Sequence, residues 1–133
     1  MRLLALVVTF LLAQQIPKHD PNGIWEAQTG SQFEMRLAGS DLQVKLVPGS
    51  NPKFVQYELD MKSESEINTY NGKGFFVAKM ETGKECKLPT EWRFVVVSRD
   101  RIIGTASSIS ADGKTCEIQE TTQAQLDLKR KVN

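Results

Sequence analysis

"SQFEMRLAGSDLQVKLVPG", from Ser31 to Gly49, decides the fold. In its first half Phe33, Met35 and Leu37 alternate with Gln32, Glu34 and Arg36; in its second, Leu42, Val44 and Leu46 alternate with Gln43 and Lys45. A period of two sends successive side chains to opposite faces of an extended chain, so each half reads as a strand with one buried and one wet face. The "AGSD" between them supplies the Gly and Asp that tolerate the positive φ of a tight turn. The stretch is therefore an antiparallel hairpin.

The same pattern continues outward. In "KFVQYELDM", Val55, Tyr57, Leu59 and Met61 share a face opposite Gln56, Glu58 and Asp60. After the first 13 residues, no stretch keeps apolar residues at helical spacing for even three turns. Turn signals recur at intervals of roughly ten residues: "TGS" at Thr29, "AGSD" at Ala38, "PGSNP" at Pro48, "KSES" at Lys62, "YNGKG" at Tyr70, "ETGKECKLP" at Glu81, "SRD" at Ser98 and "ADGK" at Ala111. "NGKG" and "ADGK" are the sharpest of them, and the set implies about nine strands. The expected class is all-β: an antiparallel up-and-down meander of about eight to nine strands closed as a small barrel, because closure removes the edges that recruit other chains. A two-sheet β-sandwich is the alternative.

The N-terminus sets the compartment. Met1-Arg2 is a short positive head, Leu3 to Ala13 is apolar but for Thr9, and Gln14-Gln15 begins polar chain, which together read as an export signal over residues 1–13. The alternatives are a buried N-terminal strand and an uncleaved anchor, although the run is too short to span a bilayer as a helix. A secreted or periplasmic protein is expected, with residues 14–22 as a flexible, Pro-containing arm and 23–130 as one β-barrel domain. Loss of Arg2 with the leader takes the 17 basic residues to 16, against 16 acidic ones. That balance argues against a dedicated nucleic-acid binder, which carries a basic excess on one stripe.

"NGIWEAQTG" opens the first strand with Gly23-Ile24-Trp25 and resembles the Gly-x-Trp start of the lipocalins and related calycin barrels. The resemblance implies that Trp25 closes the barrel floor and that a basic residue of a late strand packs over it; Lys129 and Arg130 stand in that part of the chain. The chain is shorter than most lipocalins and lacks their Thr-Asp-Tyr turn. It also resembles small exported bacterial barrels that inhibit metalloproteases, which share a leader, a first strand of this kind and one disulfide, with cysteines placed earlier in the chain.

The inventory for catalysis is thin. The one histidine, His19, lies in the arm, so a Ser-His-Asp or Cys-His relay in the domain body lacks its base. No CxxC, HxxxH or clustered Asp set has metal-ligand spacing, and no cofactor is expected. "NGKGFF" joins strands and opens no helix, which argues against a phosphate cradle. In "CEIQETTQAQLDLK" the even positions from Cys116 to Leu128 are mostly apolar, and Glu120 falls among them. Either a β-bulge near residue 120 turns this carboxylate to water, or Glu120 enters a barrel cavity and anchors a polar or cationic ligand group.

Cys86 and Cys116 are the only cysteines, and in an oxidising compartment an even pair is most simply one disulfide. Closing a loop of about 30 residues contributes roughly 3 to 4 kcal/mol on the chain-entropy estimate.

These residues point to a non-catalytic protein holding a small apolar or amphipathic ligand inside a barrel. Its expected ligand-binding residues are Trp25, Tyr57, Trp92, Phe94 and Glu120, interspersed with small inward positions such as Ala106 and Ala124. The alternative is a protein-binding or protease-inhibitor module, which needs a filled core and an ordered protruding arm or loop; residues 14–22 and the stretch from Glu81 to Glu91 are the candidates.

Overall fold

The computed structural model describes residues 16–132; the expected leader and Gln14-Gln15 lie outside them. Eight strands follow one another: β1 Gly23–Ala27, β2 Gln32–Ala38, β3 Asp41–Leu46, β4 Phe54–Ser63, β5 Thr69–Lys79, β6 Glu85–Ser98, β7 Arg101–Ala111 and β8 Ile118–Arg130. Each pairs antiparallel with the next, and β8 pairs with β1 to close the barrel. The hairpin read from Ser31 to Gly49 forms, with Phe33 opposite Leu46, Met35 opposite Val44 and Leu37 opposite Leu42. Its inward residues join Trp25, Leu59, Met61, Trp92, Phe94, Val96, Ile102 and Leu128 in one core.

Three local readings change. "NGKG" is not a turn: Asn71 to Gly74 run straight through β5, which leaves eight strands, within the eight to nine expected. Here glycine answers close approach. A Cβ on Gly72 would lie 2.2 Å from the Asp60 carbonyl oxygen, and one on Gly74 1.8 Å from that of Glu58, so β4 coils over β5 only because those side chains are missing. Val55 points outward and is 51% exposed, because the β4–β5 register shifts between Phe54 and Gln56 and brings Phe54 onto the core in its place. The stretch from Glu81 to Glu91 is no long loop, since β6 begins at Glu85.

The arm is also held more firmly than a flexible segment. Asn68, in the left-handed region with φ 64°, accepts the His19 N–H on Oδ1 at 2.8 Å and donates from Nδ2 to the Pro17 carbonyl at 2.9 Å. Pro21 is fully buried and the Asn22 Oδ1 accepts the Leu37 N–H at 2.7 Å. Residues 17–22 thus lie across one end of the barrel.

Candidate functional site

The two barrel ends differ. At the arm end the Trp25 indole is fully buried, and its N–H donates to the Pro21 carbonyl at 2.9 Å. The Arg130 guanidinium stacks over the same ring with 4.3 Å to the centroid. It donates to the carbonyls of Asp20 at 2.6 Å, Arg99 at 2.8 Å and Asn22, and so joins the arm, the β6–β7 turn and β8. This end is shut.

From there the interior is filled by side chains up to an aromatic cluster around Tyr57. Phe33 meets Tyr57 and Trp92 edge-on at 5.4 and 5.0 Å, and Phe76 stacks on Tyr57 at 5.2 Å. The Trp92 indole donates to the Tyr57 oxygen at 3.0 Å, which leaves the Tyr57 proton for the Thr90 hydroxyl at 3.1 Å. Burial raises the Tyr57 pKa above the ordinary phenol value, and the bonds to Thr90 and Trp92 oppose that shift only in part. Among the described residues no buried side-chain nitrogen or oxygen lacks a partner.

The opposite end is a mouth. Pairing between β6 and β7 stops at Trp92 opposite Ala106, so beyond Ala106 the β7–β8 hairpin continues as a two-stranded ribbon. β1 is short and pairs with β8 only from Arg130 to Leu128. The ribbon leans over the mouth, with Ile109, Ala111 and Cys116 half-buried against the core. Between ribbon and barrel lies a cleft of about 280 Å³. Its apolar walls are Phe54, Tyr57, Phe76, Met80, Leu88 and Ile109, with Ser107 and Ser108 on the ribbon side. Among the described residues Lys53 and Lys79 are its only charged lining residues. The Lys79 N–H donates to the Lys53 carbonyl at 2.8 Å, which sets the two side by side, and neither forms an ion pair among the described residues.

The Cys86–Cys116 disulfide is present, with Cα atoms 5.4 Å apart, and ties β6 to the ribbon's turn. Asp112 closes that turn by accepting the Lys114 and Thr115 N–H groups at 2.8 and 3.0 Å, and these bonds, led by Lys114, hold its carboxyl below the usual carboxylate range.

The five residues expected to bind a ligand are therefore dispersed. Trp25, Trp92 and Phe94 are packed in the core, and Tyr57 alone borders the cleft. Glu120 is exposed, and a register shift in β8 between Ile118 and Glu120 marks a bulge beside it; it anchors nothing in a cavity. Sequence reasoning missed Phe54, Phe76, Met80, Ile109, Lys53 and Lys79. Only Phe76 carried a signal, as one of an adjacent aromatic pair that must face opposite ways. Among the described residues no group of acidic, His and Cys side chains has the geometry to hold a metal ion, and no helix is long and apolar enough to cross a membrane. No protein-family model matches the chain, and comparison with curated proteins and with solved structures gives no significant match.

Proposed function

We propose that the protein is an exported, non-catalytic binding protein of lipocalin-like architecture that holds a small amphipathic molecule in its mouth cleft. The observation that carries this reading is the lining of the cleft: nine apolar or aromatic side chains, six of them large, beside two lysines, with no ion pair to either lysine and no carboxylate in the lining among the described residues. Such a surface favours an apolar body with an anionic end, opposite in sign to the guest that an inward Glu120 would select. At about 280 Å³ the cleft lies just below the roughly 300 to 1,000 Å³ of drug-sized sites, which suits a medium-length chain. Trp25 under Arg130 supports the architectural likeness, and the disulfide supports an oxidising compartment. The inhibitor reading has a filled core in its favour, but its two protruding features are missing: residues 17–22 are pinned to the barrel and the loop before β6 is short.

Thermal-shift titration tests the proposal. Dodecanoate raises the melting temperature as its concentration passes its dissociation constant, and dodecylamine of the same length does so less. A Lys53→Ala, Lys79→Ala variant loses the preference, and Ala111→Trp, which fills the cleft, loses binding. If neither amphiphile shifts the transition, the ligand reading fails.

A further inference from the structure

We infer that the β7–β8 ribbon is a separately opening wall of the mouth, latched by Cys86–Cys116, so that a dithiol reductant releases the ribbon while the rest of the barrel stays folded.

The pairing pattern leads to it. In the sheet ladders, residues 107–111 of β7 pair only with β8, residues 118–127 of β8 pair only with β7, and residues 85–91 of β6 pair only with β5. Among the described residues no ladder joins this part of the ribbon to the barrel. Four side-chain hydrogen bonds among them do. The Glu91 N–H donates to Ser107 Oγ at 3.2 Å, and that hydroxyl donates to the Glu91 carbonyl at 3.3 Å. Thr82 Oγ1 donates to the Gly113 carbonyl at 2.6 Å and Lys84 Nζ to that of Lys114 at 2.8 Å. Both of these involve exposed groups that exchange readily for water. The apolar attachment is small, because only Ile109, Ala111 and Cys116 touch the core and every β8 residue from Ile118 to Gln125 is exposed. Among the described residues the disulfide is the one covalent attachment.

Its two ends differ in access. Cys86 is fully buried in β6, whereas Cys116 is half-buried in the turn. A reductant thiolate therefore attacks the Cys116 sulfur, forms a mixed disulfide there and releases Cys86 as a thiolate, which takes up a proton. The second thiol of the reductant then closes on the first and releases the Cys116 thiol. Two electrons and two protons pass to the protein, and the reductant leaves as a cyclic disulfide. Five lining residues of the cleft, Ser107, Ser108, Ile109, Ala111 and Ala124, lie on the ribbon, so its release dismantles one wall. That last consequence rests on the ligand reading; the opening does not.

Hydrogen exchange by mass spectrometry on the full chain tests the latch, before and after dithiothreitol and on a Cys86→Ala, Cys116→Ala variant. Amides of 107–111 and 118–125 are expected to exchange at least about tenfold faster without the disulfide, while those of β2, β3 and residues 92–96 keep their protection. Unchanged ribbon protection overturns the inference, and so does loss of protection throughout the barrel, since the bond then holds the whole fold. A parallel dodecanoate titration separates the two readings. If the oxidised protein fails to bind, the ligand proposal falls while the exchange result still decides the latch.

Discussion

Arg130 covers Trp25: the guanidinium lies 4.3 Å from the ring centroid and its donors reach three backbone carbonyls, two on the arm and one in the β6–β7 turn. A planar fork does this and an ammonium does not. Truncating Arg130→Ala removes one cation–π contact and the charged hydrogen bonds of the closed end, an expected loss of about 2 to 4 kcal/mol. Arg130→Lys recovers only the stacking part. Urea unfolding reads both; a lysine variant as stable as the parent contradicts the fork.

Asn68 clasps the arm with both polar atoms of its amide, as a paired strand does with backbone groups. Its φ of 64° suits Asn or Gly. Asn68→Gly keeps the backbone and removes only the clasp, so the expected outcome is a cost of about 1 to 2 kcal/mol, with faster exchange at residues 18–19. Asn68→Ala adds backbone strain of about 1 kcal/mol. Equal stability of the two variants contradicts that separation.

The strand alternation from Phe33 to Met61 was legible because one face of each strand is buried, and the disulfide because two cysteines leave one pairing. Val55 was misread because a register shift reverses the face of every residue on one side of it, and periodicity carries no mark of where the shift falls. The cleft was illegible for a further reason. Lys53, Lys79 and Ile109 lie on three elements and meet only because the ribbon bends over the mouth after β6 and β7 part at Trp92 and Ala106. The face carrying Glu120 is inward along the lower part of β8, at Leu126 and Leu128, and reaches solvent where the ribbon leaves the barrel.

Gly74 and Gly49 separate the two uses of glycine. At Gly49, φ is 80° and a Cβ meets nothing within 4 Å, so Gly49→Ala costs backbone strain alone, about 1 kcal/mol. At Gly74 the added methyl collides with the β4 backbone, and the strands must separate. Gly74→Ala is expected to cost about 3 kcal/mol. Denaturant midpoints compare them directly; a milder effect at Gly74 than at Gly49 contradicts the close approach of β4 and β5.

The alkaline limb of stability belongs to the chain's two tyrosines, Tyr57 and Tyr70. Burial raises both pKa values, and the Asp20 charge adds to the shift at Tyr70. The folded protein therefore keeps these protons after the unfolded chain has lost them. Stability is full below the unfolded tyrosine value of about 10 and falls as pH rises from there toward the folded values, because the unfolded state then binds fewer protons. Phenolate absorbance is expected to rise at higher pH than that of an unfolded chain, whose tyrosines titrate near about 10, and to rise together with loss of fold. Tyr57→Phe leaves Tyr70 as the only reporter and makes the alkaline fall shallower. It also removes the acceptor of the Trp92 N–H and the donor to Thr90, at about 1 to 3 kcal/mol at neutral pH. A phenolate forming near pH 10 in intact wild-type protein, absent from the phenylalanine variant, contradicts a buried Tyr57 hydroxyl.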